Sequence, residues 1–242
     1  FPSTRAITAR CIQAEWDERH EPPDTDDAVE LLVELASGRA VLEFGVGTGR
    51  LALPLQDRGV RVHGVDNSSW MLEQLSRKPD GNRIPVTVGD FTSERVEGHF
   101  GLVLLAYTTI FALATQELQV ECFRNAAAHL ECGGLFVLDG EAVHDLAGHD
   151  GKCSVVSVAP DTLVLSASRV NVVSQEIFNA KVILRDGELP KIYPAASRYC
   201  SPSELDLMAR LAGFRLRNRW GGWDKRAFTA TSRFHVSVYE RS

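Results

Sequence analysis

The sequence predicts an α/β fold, in which helices cover both faces of a mostly parallel sheet. Before residue 148, short apolar segments alternate with segments of helical periodicity, which is typical of such a sheet. Residues 148–199 instead contain Val-, Ile- and Thr-rich runs separated by turn residues, which predicts an antiparallel β insertion. The 242 residues, 44% of them hydrophobic, are enough to bury a full core.

The elements follow from local patterns in chain order. A helix over 26–36 is capped by Thr25 and ends before Gly38. Ser201-Pro202-Ser203-Glu204 predicts a further helix start, because serine caps, proline suits the first turn and glutamate completes a capping box. The remaining predictions are strands near 40–44, 60–65, 84–88, 101–106, 134–139, 214–221 and 232–239, and helices near 49–57, 68–77 and 116–130.

The first strand runs into a glycine-rich turn, Gly45-Val46-Gly47-Thr48-Gly49. Glycine allows the backbone to turn sharply and to lie close to a ligand at the start of a helix. A dinucleotide site requires a small residue at the sixth position of the motif, where this chain has Arg50. Glu43, two residues before the first glycine, would repel a pyrophosphate but suits a ligand that carries an ammonium group.

These residues resemble motif I of the class I S-adenosylmethionine (SAM) methyltransferases, E/D-x-G-x-G-x-G. Asp66 ends the second strand, where an acid can bind two ribose hydroxyls, and Asn67 follows it. The resemblance implies that Met71 packs on the adenine. It also implies that Asp90 of the Gly-Asp pair meets the adenine amine beside Phe91.

The resemblance further implies a Rossmann-like, mostly parallel sheet of seven strands with an antiparallel last strand, and SAM as the cofactor. The methyltransferase core would comprise 1–147 and 200–242, and the insertion 148–199 would form an antiparallel β lid. Relatives that act on small molecules, including sugar N-methyltransferases, carry a similar layer as a lid or a dimer surface. A homodimer is therefore one expected state.

Candidate catalytic residues follow the fourth and fifth strands, because ligands bind at the carboxyl ends of strands in open α/β sheets. Tyr107 stands where the family often has Asn or Asp, and it would border the cofactor as well. Glu141 and His144 follow the fifth strand in the segment Asp139-Gly140-Glu141 and beyond. Any of the three could accept a proton from the methyl acceptor, and histidine is the side chain most easily poised as a base near neutral pH. A solvated loop histidine is the alternative for His144.

Four aromatic residues are candidates for ligand contacts. Trp16, on a predicted N-terminal helix, would face the sulfonium, because an aromatic face attracts a cation. Trp220, Trp223 and Phe228 lie in the predicted connection between the last two strands, where they could form a wall for the acceptor. Packing in the core or at a sheet edge is the alternative for all four.

Composition excludes several classes. The net charge of −6 argues against binding to nucleic acid or an anionic membrane, and no apolar run is long enough to span a bilayer. The five cysteines lack metal-ligand spacing and suit reduced thiols in a cytoplasmic protein, so no metal is expected.

The predicted function is SAM-dependent methyl transfer to an O, N or C atom of a small organic acceptor, a specialised metabolite. Alternatives are a SAM-fold enzyme that has lost transfer and catalyses another reaction such as cyclisation, an NAD-dependent oxidoreductase, and a ligand-binding module without catalysis.

Overall fold

The computed structural model describes residues 24–142 and 150–242. Within them the chain forms two compact units. The larger unit contains residues 24–110, 115–142 and 201–242, and the smaller contains 111–114 and 150–200.

The larger unit is built on a seven-stranded sheet of order β10-β11-β5-β4-β1-β2-β3. Strands β1 to β5 run parallel, whereas β11 is antiparallel to both β5 and β10. This arrangement confirms the predicted mostly parallel sheet with an antiparallel last strand. The strands are β1 Val41–Phe44, β2 Val62–Asp66, β3 Val86–Val88, β4 Phe100–Leu105, β5 Leu130–Glu141, β10 Phe214–Trp220 and β11 Phe234–Arg241.

Five α-helices are described: α1 Thr25–Ala36, α2 Ala52–Asp57, α3 Ser69–Arg77, α4 Gln116–His129 and α5 Pro202–Leu211. Apolar residues of α1, α2 and α3 pack with Val41, Leu102 and Val137 of the sheet, and we call this side the front face. On the opposite side, Phe123 of α4 packs against Tyr239, with ring centroids 5.6 Å apart, and we call this side the back face. Side chains alternate between the two faces along each strand.

Capping residues explain where three helices begin. The side chains of Ser68, Thr115 and Ser201 each accept a hydrogen bond from a backbone amide in the first turn of α3, α4 and α5. Pro202 occupies the first turn of α5, as the sequence predicts.

The smaller unit is an antiparallel sheet in the order β6-β7-β8-β9. Its strands are β6 Cys153–Val158, β7 Thr162–Asn171, β8 Glu176–Arg185 and β9 Lys191–Arg198. One face contains the buried residues Val164, Ile177 and Ile183, and the alternate positions on β6 to β9 form the other face.

Several elements differ from the sequence prediction. Thr25 is the first residue of α1 rather than its cap, and the N-cap residue Asp24 makes no side-chain capping bond. Strand β5 begins at Leu130 rather than near 134, because a break in its register with β4 absorbs the Cys132-Gly133-Gly134 segment into the strand. A short 3₁₀ helix, Thr109–Ala112, follows β4. None of the helices that the structure describes is long and apolar enough to cross a membrane.

Candidate active site

The glycine turn after β1 has the backbone conformation that its sequence requires. Gly45, Gly47 and Gly49 have φ angles of 68°, 55° and 85°, in the left-handed region that favours glycine. A Cβ atom at Gly49 would lie 2.4 Å from Leu75 Cδ1, so this glycine serves helix packing. Among residues 24–142 and 150–242, no atom lies closer than 4.0 Å to a Cβ atom placed on Gly47, so these residues leave the space in front of it open.

Asp66 ties the end of β2 to this turn. Its Oδ2 accepts a hydrogen bond from the Gly47 amide at 2.9 Å, and its Oδ1 accepts one from the Ser68 amide at 2.8 Å. Burial raises the pKa of Asp66, and these amides act in the opposite direction. Asn67 is exposed, and Met71 is half-buried in the first turn of α3. The predicted cofactor residues of β2 and α3 therefore lie at the same sheet edge as the glycine turn.

The segment after β3 is held from the back face. Asp90 Oδ1 accepts hydrogen bonds from the amide and the hydroxyl of Thr92, at 3.0 and 2.7 Å. The ring of Phe91 stacks on Phe44 of β1, with centroids 5.8 Å apart. Asn125 of α4 donates to the Phe91 carbonyl at 2.8 Å. These contacts fix Asp90 and Phe91, which the sequence assigns to the adenine.

Glu43 is a buried acid on the front face, with 5% of its surface exposed. Among the residues that the structure describes, no group makes a hydrogen bond with its Oε2 atom. Burial raises the pKa of Glu43 to about 8, against the attraction of Arg50 and with a further increase from Asp66. Arg50 Nη1 donates to Thr25 Oγ1 at 3.2 Å, so the cation next to Glu43 is anchored to the start of α1.

Tyr107 and Asp139 lie at the same edge of the sheet, after β4 and near the end of β5. Asp139, at the end of β5, is 2% exposed and accepts a hydrogen bond from the Thr108 amide at 2.5 Å. Burial raises the pKa of Asp139 to about 6, although the Thr108 and Tyr107 amides and Arg50 oppose this shift. Tyr107 is 41% exposed, and the guanidinium of Arg50 lies 5.5 Å from the centroid of its ring.

Comparison with known proteins gives the same assignment as this geometry. A family model described as a methyltransferase domain matches residues 41–134. A solved structure of the CcbJ methyltransferase from Streptomyces caelestis is 35% identical, covers 98% of each chain and has a TM-score of 0.89. The chain belongs to the class I SAM-dependent methyltransferases.

Two further relatives support this placement. This chain is 28% identical to the cypemycin N-terminal methyltransferase from a Streptomyces species. The 228 aligned residues cover 93% of this chain and 87% of that protein. It shares its fold with SAM-bound CalS10, an amino pentose methyltransferase from Micromonospora echinaspora, with 19% identity, a TM-score of 0.72 and 95% coverage of both chains. Family membership decides against the NAD-dependent alternative.

The residues of this methyltransferase fit SAM. Within the part of the chain that the structure describes, the Oε2 atom of Glu43 has no hydrogen-bond partner and the space in front of Gly47 is open. These two features suit a cationic group and a close backbone approach. The carboxylate of Asp66 faces the same edge with acceptor capacity beyond its two backbone bonds. The described residues contain no cluster of three or more His, Cys, Asp or Glu that could hold a metal ion.

Of the other two predicted catalytic residues, the structure describes Glu141 but not His144. Glu141 is exposed at the end of β5, where it pairs with Phe234 of β11. His144 lies outside the described residues, as does Trp16. The sequence alone shows Asp139 only as one of several acids after the fifth strand and gives it no separate role. The signal that could have selected it is strand register, because Asp139 and Glu43 both face the front side at strand ends.

The three aromatic candidates for the acceptor wall do not share one surface. Trp223 is 3% exposed and belongs to the front-face core, and Trp220 packs against the same core. Phe228 instead lies at the back face, 5.9 Å from the Arg219 guanidinium and 6.1 Å from the His235 ring. Of these residues, Trp220 and Phe228 are half-buried and retain exposed surface.

Proposed function

We propose that this methyltransferase methylates an amine nitrogen of a small specialised metabolite. The observation that carries the proposal is the pair of acids, Glu43 and Asp66, on one face at the ligand edge of the sheet. Acidic side chains attract a cationic donor and a basic acceptor to the same place.

Names of similar proteins favour nitrogen as the acceptor atom. They include the cypemycin N-terminal methyltransferase, the sugar N-methyltransferase KedS8 and the glycopeptide N-methyltransferase MtfA. The last two are 18% identical to this chain, so they contribute the fold and a direction for the proposal. Oxygen and carbon acceptors are the competing outcomes.

SAM, when bound, supplies a methyl group that its sulfonium already activates. The protein's part is then to hold the acceptor in line and to keep water out. Glu43, Asp66, Asp90 and the glycine turn bind the donor in this proposal, with Asn67, Met71 and Phe91 beside the nucleoside. Trp16 would face the sulfonium.

Tyr107 orients the acceptor rather than taking its proton. Burial raises the pKa of the Tyr107 phenol above its ordinary value, although Arg50 acts in the opposite direction, so the hydroxyl keeps its proton at neutral pH. An amine with a pKa near neutrality can lose its proton to water before it binds. His144 and Glu141 stay candidates for accepting the proton of a more basic amine, and Trp220, Trp223 and Phe228 for acceptor contacts.

The experiment is a mass-spectrometric assay with SAM and matched acceptors. An amino sugar and a short peptide with a free N-terminus would be compared with analogues in which a hydroxyl replaces the amine. We expect a gain of one methylene on an amine and none on the matched hydroxyl. Methylation of the hydroxyl or of a carbon alone would contradict the nitrogen assignment.

A second function, rearrangement without methyl transfer, is favoured by one observation. Tyr107 occupies the position after β4 where the family often has Asn or Asp. The same assay separates the two functions, because a cyclisation would give a product of unchanged mass and a new retention time.

The smaller unit would act as a lid or as a homodimer surface. Val155, Phe178 and Ile192 share one face of its sheet and are 60%, 52% and 60% exposed. A contiguous apolar face of this kind is typical of surfaces that become covered. Light scattering would test the dimer, and a Phe178→Ser variant should then shift a dimer towards the monomer.

A further inference from the structure

Two consecutive residues after β4 have a backbone conformation that costs free energy. Tyr107 and Thr108 have φ angles of 66° and 55°, although neither is glycine. The left-handed region costs an L-residue on the order of 1–2 kcal/mol, and more for a β-branched residue such as threonine. Such a pair persists only where the surrounding structure holds it.

Asp139 provides the contact that holds this pair. Its Oδ1 atom accepts a hydrogen bond of 2.5 Å from the Thr108 amide, and the neighbouring Tyr107 amide lies close enough to lower the pKa of the carboxyl. Hydrogen bonds to a charged acceptor are the stronger class. Strand β5 is itself fixed between β4 and β11, so the carboxylate sits on a rigid element.

The next residue completes the turn. Thr109 Oγ1 donates to the Ala106 carbonyl at 2.6 Å, which closes the loop over residues 106–109. A Cβ atom on Gly45 would lie 3.3 Å from Thr109 Cγ2, so the loop abuts the glycine turn. The position of Tyr107 relative to the glycine turn therefore depends on the conformation of two strained residues.

We propose that Asp139 is a positioning residue, which holds Tyr107 and Thr108 in the left-handed conformation and so presents the Tyr107 side chain at the ligand edge. The hold on the backbone is independent of any ligand. Its importance for turnover rests on the proposed function.

Asp139 is poorly placed to act on the substrate itself. It is 2% exposed, and its Oδ1 atom already accepts a backbone hydrogen bond. Among the residues that the structure describes, the charged and titratable groups that act on it are Arg50, Asp24 and the Tyr107 phenol. A positioning role predicts that a neutral side chain with an oxygen in the same place suffices, whereas a general base would need the ionisable carboxylate.

Three variants test whether Asp139 stabilises this backbone conformation in the protein without SAM or acceptor. The measurement is hydrogen–deuterium exchange of the peptide that contains residues 107 and 108. Asp139→Ala should raise exchange in this peptide by about tenfold or more, because the Thr108 amide loses its acceptor and the strained pair is released. Asp139→Asn retains an amide oxygen and should stay within about threefold of the parent protein. Val137→Ala, on the same face of the same strand, is the control for general loosening of β5.

Unchanged exchange in Asp139→Ala would overturn the proposal, as would an equal increase in Val137→Ala. If Asp139→Ala does not fold, the double variant with Thr108→Gly removes one strained residue and should restore folding. A double variant that also fails to fold would show that the carboxylate serves the fold as a whole, and the proposal would be wrong.

Turnover separates the positioning role from the proposed function. Asp139→Ala should lower kcat about tenfold or more and leave the KM for SAM within about threefold, while Asp139→Asn should keep most of kcat. Equal loss of kcat in both variants would instead indicate a role for the charge and overturn the proposal. Absence of methylation in the parent protein would contradict the proposed function and leave the exchange result intact.

Discussion

The two faces of the large sheet differ in how their acidic side chains are paired. On the back face, Arg219 donates to Asp206 at 2.6 Å and to Ser237 at 2.8 Å, and the Tyr239 hydroxyl donates to Asp206 at 2.8 Å. On the front face, Glu43 and Asp139 are buried at strand ends. Neither forms a salt bridge within residues 24–142 and 150–242.

This difference separates groups that serve the fold from groups that serve a ligand. A buried ion pair with further hydrogen bonds offsets its own desolvation, and losing one partner destabilises the protein. A buried acid without a direct ion pair costs folding free energy, and this cost corresponds to its raised pKa, even though Arg50 lies nearby. We infer that the front-face acids are retained for the cationic ligand and the loop that they hold.

The largest expected effect is that of blocking the glycine turn. Gly47→Val places a branched side chain in the open space before the turn and should weaken SAM binding by about a hundredfold or more. Gly59→Val is the matched control. Gly59 also has a positive φ, of 79°, and no atom of residues 24–142 or 150–242 lies within 4 Å of its Cβ position. Calorimetric titration would check both, and similar SAM affinities in the two variants would contradict a ligand role for Gly47.

Removing the acid at the end of β2 should have the next largest effect. Asp66→Ala loses the bonds to Gly47 and Ser68 and the carboxylate that we propose binds the ribose hydroxyls, so SAM affinity should fall by about ten- to a hundredfold, a few kcal/mol at most. Glu73→Ala removes the same charge from the exposed surface of α3 and should leave the affinity unchanged. Thermal shift with SAM would compare the two, and equal shifts would count against Asp66.

The back face should respond in stability and not in binding. Asp206→Ala leaves Arg219 without its acid and should lower the free energy of unfolding by about 2 kcal/mol, with SAM affinity within about twofold of the parent protein. Glu121→Ala breaks the half-exposed pair with Arg124 and should cost about 0.5 kcal/mol or less. Urea denaturation measures both changes, and a loss of SAM affinity in Asp206→Ala would remove the distinction between the faces.

The sequence predicted those parts of the molecule that depend on local pattern. Alternation of strands and helices, the glycine turn and the serine cap of α5 require only neighbours in the chain, and each is confirmed by the structure. The register break near Cys132 was missed because it depends on pairing between β4 and β5.

Tertiary contacts explain the remaining differences at the site. Asp139 gains its significance from the amides of residues more than thirty positions earlier, which no local pattern shows. Trp223 and Phe228 lie only five positions apart, yet they reach different surroundings because the intervening chain turns between the faces. Whether an aromatic side chain is buried depends on tertiary packing. The sequence alone therefore does not decide whether these aromatic residues belong to the core or line a ligand site.

The most direct test of the contrast between the faces is the pH dependence of stability in Glu43→Gln without SAM. The pKa of Glu43 is raised in the folded protein from 4.5 to about 8, so its contribution to stability is complete at low pH and is lost as the pH rises through this window. Glutamine does not titrate. The stability of the variant relative to the parent protein should therefore increase between these pH values, by up to about 1.4 kcal/mol per pH unit.

SAM titration of the same variant at pH 8 completes the measurement. We expect affinity to fall about fivefold or more, because the carboxylate that faces the cationic ligand is gone. Relative stability that rises with pH, together with weaker SAM binding, is the predicted result. Relative stability that stays flat or falls with pH, together with unchanged SAM affinity, would show that Glu43 serves the fold and would contradict the account.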